Sequence, residues 1–221
     1  MQSSHEITPN AVNFIGIALS GQPCLNGQRH IGIIYKEHAG AHYKALHLAS
    51  HLFLKNDNFC TKPFLWGQCP YDSINLLVMA GSCSLCAEKM ANKIPYGINS
   101  EHINLDPNVG IIEISHDSDG MTCASFVMAY FKKYGYTLLD IDSWEARAED
   151  KEWQQGIIDL LRKHPKCSKT HLEKMERNIN CFRFRPEEVA AAAISANIPL
   201  KFNNASHAGN LIREELTKIQ N

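Results

Sequence analysis

The chain has 221 residues, of which 44% are hydrophobic and 20% are charged. That leaves room for one domain with additions or two very small ones, and the apolar share is too high for a disordered chain. A formal net charge of -1 gives no overall pull toward nucleic acid or acidic membranes, and no apolar run reaches the roughly 18 residues of an integral membrane helix.

Before Arg29 there is no Lys or Arg, and the apolar stretch 11–19 is broken by Asn13 and Gly16, which is not the pattern of a cleaved secretory signal. The eight cysteines are therefore expected as thiols in a reducing, cytoplasmic setting; export without a cleaved signal leaves the same pattern. Residues 29–36 (RHIGIIYK) are short and Ile-rich and predict a buried strand, and residues 37–41, with Gly40, predict a turn. Residues 42–49 (HYKALHLA) alternate, with Tyr43, Ala45 and His47 on one face and Lys44, Leu46 and Leu48 on the other, so the two segments predict a β-hairpin. Residues 75–80 (NLLVMA) fit a strand or a helix. A helix is expected over 82–93, with Ser82 as its N-cap and Pro95 as its stop.

A short apolar run at 110–115 leads into the turn cluster HDSDG at 116–120. Residues 122–134 (TCASFVMAYFKKY) place Ala124, Val127, Met128 and Phe131 at helical spacing, with Thr122 as N-cap and Gly135 as terminator. Helices over 153–163 and 186–197 follow; in the second, Pro186 suits the first turn and Glu187 and Glu188 suit the helix dipole. Residues 166–180 and the last dozen are polar and read as peripheral. Trp144 and Trp153 read as core anchors, and 177–185 (RNINCFRFR) as a strand or loop with a solvated face rather than a single-strand nucleic-acid surface. No long apolar surface segment is expected.

Cys123 falls at the start of a predicted helix. Unpaired N–H groups and the helix dipole there favour a thiolate and can receive an oxyanion. The plain alternative is a small buried residue on an amphipathic helix. A base is required, and His30 and His47 on the hairpin are the candidates, because adjacent strands lie about 4.8 Å apart. Asp117 or Asp119 is an alternative orienting group. Cys83 and Cys86 form Cys-x-x-Cys, with Cys60 and Cys69 upstream. A structural zinc site or a redox pair competes there with ordinary buried thiols, the preferred reading.

With these residues in view, the sequence resembles the permuted NlpC/P60 (papain-like) thiol enzymes, a group that includes the lecithin:retinol acyltransferase-like proteins and bacterial amidases and peptidases. RHIGIIY resembles their histidine strand, ALHLAS around His47 the strand with a second site histidine, TCASFV the nucleophile helix start, and IPYGI at 94–98 the Pro-Tyr segment before it. The order His30, His47, Cys123 matches the permuted arrangement, over residues 28–134. An Asn before the Cys, usual in the acyltransferase-like members, is replaced here by Thr122.

The resemblance implies an α+β fold in which an antiparallel sheet packs on a nucleophile-bearing helix, with additional C-terminal helices. It implies a single domain over 1–221, with a papain-like core at about 28–140 and a helical extension at about 141–221. The implied function is a cysteine hydrolase that cleaves an amide or peptide bond through a thioester acyl-enzyme. Cys123 is then the nucleophile, His30 the base and His47 its orienter, with the two histidines exchangeable; Tyr96 and Thr122 are the oxyanion or substrate-positioning residues. No cofactor and no metal are expected, and the partner is a peptide, amide or acyl substrate. The alternatives are a thiol acyltransferase or lipid esterase on the same scaffold, or a non-catalytic, zinc-stabilised binding module.

Overall fold

A computed structural model describes residues 1–3, 12–22, 27–38, 40–57, 64–98 and 120–218. Among them, six strands form one sheet: β1 Gln2–Ser3, β2 Ile15–Ser20, β3 Ile31–Tyr35, β4 Lys44–Ser50, β5 Phe53–Asp57 and β6 Phe64–Gln68. The order is β1-β6-β2-β3-β4-β5, and every neighbouring pair is antiparallel. The expected hairpin is β3 and β4, paired Ile33 to Leu46 and Tyr35 to Lys44. The centre of the sheet, however, is shared by β2, whose six residues are all buried. Its apolar run is a strand covered on both faces, which is why it lacks alternation.

Strand alternation divides the sheet into two faces. Ile15, Ile17, Leu19, Ile31, Ile33, Leu46 and Leu48 point into the main core; Ala18, Ile34, Ala45, Phe64 and Trp66 form a smaller cluster on the other side. The helices supply the rest of the main core: α1 Ser73–Met90, α2 Cys123–Lys133, α3 Asp150–Arg162, α4 Lys169–Arg177, α5 Pro186–Ala193 and α6 Phe202–Lys218. The molecule is thus α+β, with an antiparallel sheet and several helices.

The helix expected from Ser82 begins nine residues earlier. Asp72 is its N-cap, accepting from the N–H groups of Ile74 (3.0 Å) and Asn75 (3.1 Å). Ser82 lies mid-helix and donates to the Met79 carbonyl at 2.9 Å. The ambiguous segment 75–80 is therefore helical. Leu76, Met79, Ala80, Cys83, Cys86 and Met90 form the buried stripe, while Ile74, Leu77, Val78 and Leu85 stay exposed on the opposite side. That outer stripe is an exposed apolar surface, contrary to the expectation of none.

Helix α2 is buried from Cys123 through Phe131 and packs on β3, β4 and α5. Fully burying each of Phe126, Val127 and Phe131 stabilises the fold by roughly 1.5–3 kcal/mol. The C-terminal region is less peripheral than expected. Residues 166–180 contain α4, which buries Met175, and α6 buries Ala205, Gly209, Ile212 and Leu216. Arg183 and Arg185, expected on a solvated face, are drawn inward by the buried carboxylate of Asp150, at 3.3 Å and 3.0 Å. Trp144 and Trp153 are buried, as their size suggests. None of the described helices is long and apolar enough to cross a membrane. The apolar run 110–115 lies outside the described residues.

Candidate functional site

Three local features set the start of α2. Thr122 has extended backbone and caps the helix, its hydroxyl accepting from the Ser125 N–H at 3.0 Å, while the Ser125 hydroxyl accepts from the Thr122 N–H at 2.8 Å. The Thr122 hydroxyl is thus engaged in holding the helix end. Cys123 becomes the first helical residue, in the field of the helix N-terminus. Just upstream, the Met121 N–H donates to the Pro95 carbonyl (2.9 Å) and the Gly97 N–H to the Met121 carbonyl (3.1 Å), forming a short parallel bridge at Tyr96 and Met121. This bridge brings Tyr96 to Cys123. The Tyr96 hydroxyl is hydrogen-bonded to the Cys123 backbone and to the Gln28 side chain; burial, then the neighbouring cysteine, pushes its pKa well above the usual phenol value.

Gln28 reaches the sulfur, with Nε2 3.9 Å from Cys123 Sγ. Its own carboxamide oxygen accepts from the indole N–H of Trp153, which fixes which end of the amide faces the sulfur. Gln28 carries no motif in the sequence, and Trp153 reads there only as a core anchor. Gln28 sits two positions before His30, and its only signal there was that closeness. Cys123 is 0% exposed, so the thiol lies beneath Gln28 and Tyr96 rather than at an open surface.

His30 and His47 meet as expected: His30 Nε2 and His47 Nδ1 are 2.8 Å apart, the rings 4.9 Å centre to centre and nearly perpendicular. The contact assigns one nitrogen of each ring to the pair, so His30 can address a thiol only through Nδ1. His47 lies between Leu46 and Leu48 in β4 and points to the sheet face opposite theirs, where Asp57 Oδ1 lies 3.8 Å from Nε2. That separation is too long for a hydrogen bond, and the half-exposed Asp57 carboxylate pairs instead with Lys55 at 3.4 Å. Asp57 was missed because β5 carried no recognisable strand pattern. Burial pushes His30 down to about 4, and burial followed by the His30 and Lys55 charges pushes His47 down to about 3. Both rings are neutral near pH 7, the state a proton acceptor needs.

Gln28, His30 and Tyr96 line one cavity of about 340 Å³, whose far wall is aliphatic, from Ile157, Leu160 and Leu161 of α3. The structure thus pairs His30 with His47 and pairs Cys123 with Gln28 and Tyr96; His30, Gln28 and Tyr96 share the cavity, whose lining includes neither Cys123 nor His47. The other cysteine candidates are placed differently. Cys69, Cys83 and Cys86 are buried free thiols, and Cys83 sits 3.2 Å from the Tyr130 hydroxyl. Burial raises the pKa of each, that of Cys86 to about 11. Among the described residues the Cys83–Cys86 pair belongs to no group of metal-ligating side chains. Cys24, Cys60, Asp117 and Asp119 lie outside the described residues.

Comparison with protein-family models, with curated proteins and with solved structures finds no match for the chain.

Proposed function

We propose that the protein is a cysteine-dependent hydrolase of the permuted papain-like, NlpC/P60 type, cleaving an amide or peptide bond through a thioester at Cys123. The observation that carries this reading is the joint placement of a cysteine at a helix N-terminus, an amide donor at 3.9 Å from its sulfur, and a neutral histidine pair whose His30 lines the same cavity as that donor. In this mechanism His30 Nδ1 takes the thiol proton, and sulfur attacks the acyl carbonyl. The oxyanion is met by the Cys123 N–H, the Gln28 amide and the Tyr96 hydroxyl. The amine leaves with the proton from His30, and water, deprotonated by the same ring, releases the acid. His47 holds His30 in one tautomer.

Thiol acyl transfer is a second reading, favoured by the aliphatic wall of Ile157, Leu160 and Leu161, which suits an acyl chain. Reaction with a small haloacetamide, followed by mass spectrometry, tests the shared step. Cys123 is expected to alkylate fastest near neutral pH, despite its burial, ahead of the half-exposed Cys167 and Cys181. With a turned-over amide or thioester in hand, Cys123→Ala is expected to lose at least about 10³-fold in kcat. A variant that keeps full turnover removes both enzyme readings. A free acid as product, rather than an acylated amine, favours the hydrolase.

A further inference from the structure

A second set of donor atoms lies against the Tyr96 backbone. His51 in the β4–β5 turn, Cys167 in the α3–α4 connection and His171 in the first turn of α4 each place one ligand atom within 4.8 Å of the other two. The rings of His164 and His171 both stand 5.1 Å from that of His51. Three of the four follow one another as HPKCSKTH, a His-x2-Cys-x3-His spacing at residues 164–171. We propose that His51, Cys167 and His171 bind a divalent late transition metal of the zinc class, with the adjacent His164 as the donor for the fourth position.

Thiolate and imidazole together are the donor set that zinc prefers over the hard cations. Donors around a tetrahedral zinc stand roughly 3.3–3.8 Å apart, so the observed group needs a closure of about 1 Å. His171 Nε2 contacts the Tyr96 carbonyl at 2.9 Å, which places the proton on Nε2 and leaves the Nδ1 lone pair for the metal. His51 Nδ1 accepts from the Tyr96 N–H at a long 3.2 Å, a contact that ligation exchanges for the metal bond. His51 is buried, and Cys167 and His171 are half-buried, so the metal has a route in from one side. Binding releases the Cys167 proton to solvent and leaves a thiolate on the metal. The ion would tie the β4–β5 turn to the α3–α4 connection, on either side of the Tyr96 backbone. The site shares no ligand with the thiol chemistry proposed above, and His51 and His164 stand in the wall of the cavity that His30 and Tyr96 also line.

The test uses the full chain, stripped with a chelator and titrated with Co²⁺ and then Zn²⁺. One Co²⁺ per chain is expected, with tetrahedral d–d bands and a thiolate-to-cobalt charge-transfer band, both abolished by Zn²⁺. Cys167→Ser should remove the charge-transfer band, and His171→Ala should weaken binding by at least about tenfold. Circular dichroism of each metal-free variant checks that it folds like the parent. Cys123→Ala should bind as the parent does. No stoichiometric cobalt spectrum, a charge-transfer band that survives Cys167→Ser, or one that is lost in Cys123→Ala would each overturn the proposal; the last would place the metal on the candidate nucleophile instead.

Discussion

Gly120 is three residues from Cys123 and has no space for a side chain. Its φ is +93°, and a Cβ built there would lie 2.3 Å from the Pro95 carbonyl oxygen and 2.7 Å from its carbon, both backbone atoms that cannot turn aside. That same oxygen accepts from the Met121 N–H, so Gly120 sets how closely the Tyr96 segment approaches the helix start. Gly120→Ala is expected to cost about 1–3 kcal/mol in denaturant unfolding and to slow alkylation of Cys123, because Tyr96 and the helix cap move together. Gly81 is the control: it lies inside α1 with nothing within 4 Å of a built Cβ, so Gly81→Ala should stabilise the chain by about 0.5–1 kcal/mol and leave Cys123 labelling unchanged. An alanine at 120 that labels and unfolds as the parent does would mean the bridge to Pro95 does not hold the site. In the sequence Gly120 was visible as turn chemistry, but its contact with Pro95 was not, since 25 positions separate them.

At the scale of elements, legibility followed the density of the apolar signal. The β3–β4 hairpin and α2 were readable because Ile-rich runs and 3-4 spacing are strong signals, and Thr122 marks its own cap. Helix α1 was misjudged at its start: NLLVMA satisfies both periods, Gly81 reads as a break, and the true cap, Asp72, comes straight after Pro70 and Tyr71. Helix α6 escaped notice because two of its four buried positions are Ala205 and Gly209, small residues that allow close approach to α5 yet add little hydrophobicity. The candidate site was legible in its histidines and cysteine and hidden in Gln28 and Asp57, polar residues whose meaning comes only from long-range packing. The two sides of α1 make a quantitative contrast. Leu76→Ala on the buried stripe should cost about 2–5 kcal/mol in urea unfolding. Val78→Ser on the exposed stripe, where the residue is 55% accessible, should stay within about 0.5 kcal/mol of the parent. Equal losses on both sides would mean that the outer stripe is covered in solution.

The whole molecule carries its candidate base as a buried, neutral pair, and this couples stability to acidity. An ordinary histidine titrates near 6.5, whereas burial holds His30 at about 4 and His47 at about 3. Between those values the unfolded chain binds protons that the folded chain refuses. Stability is therefore complete above pH 6.5 and is lost as pH falls toward 4. For His30 alone the gap corresponds to up to about 3 kcal/mol, and the shared hydrogen bond means that His47 does not add a second full increment. His51, also held at about 4, acts in the same direction, while the buried carboxyl of Glu188, pushed up by desolvation, opposes them. The difference between parent and variant therefore carries the test, rather than the raw slope. The fall in the urea midpoint from pH 7 to pH 5 should be smaller in His30→Gln than in the parent; an unchanged fall would mean that His30 titrates as an ordinary surface histidine. The same shift places the acid limb of kcat/KM. A base that stays neutral down to about pH 4 keeps accepting the Cys123 proton well below 6.5, so activity should persist at pH 5.5, where an exposed imidazole would already be mostly protonated. A half-maximal point at 6.5 would show that the working imidazole is solvated and that the buried pair is structural.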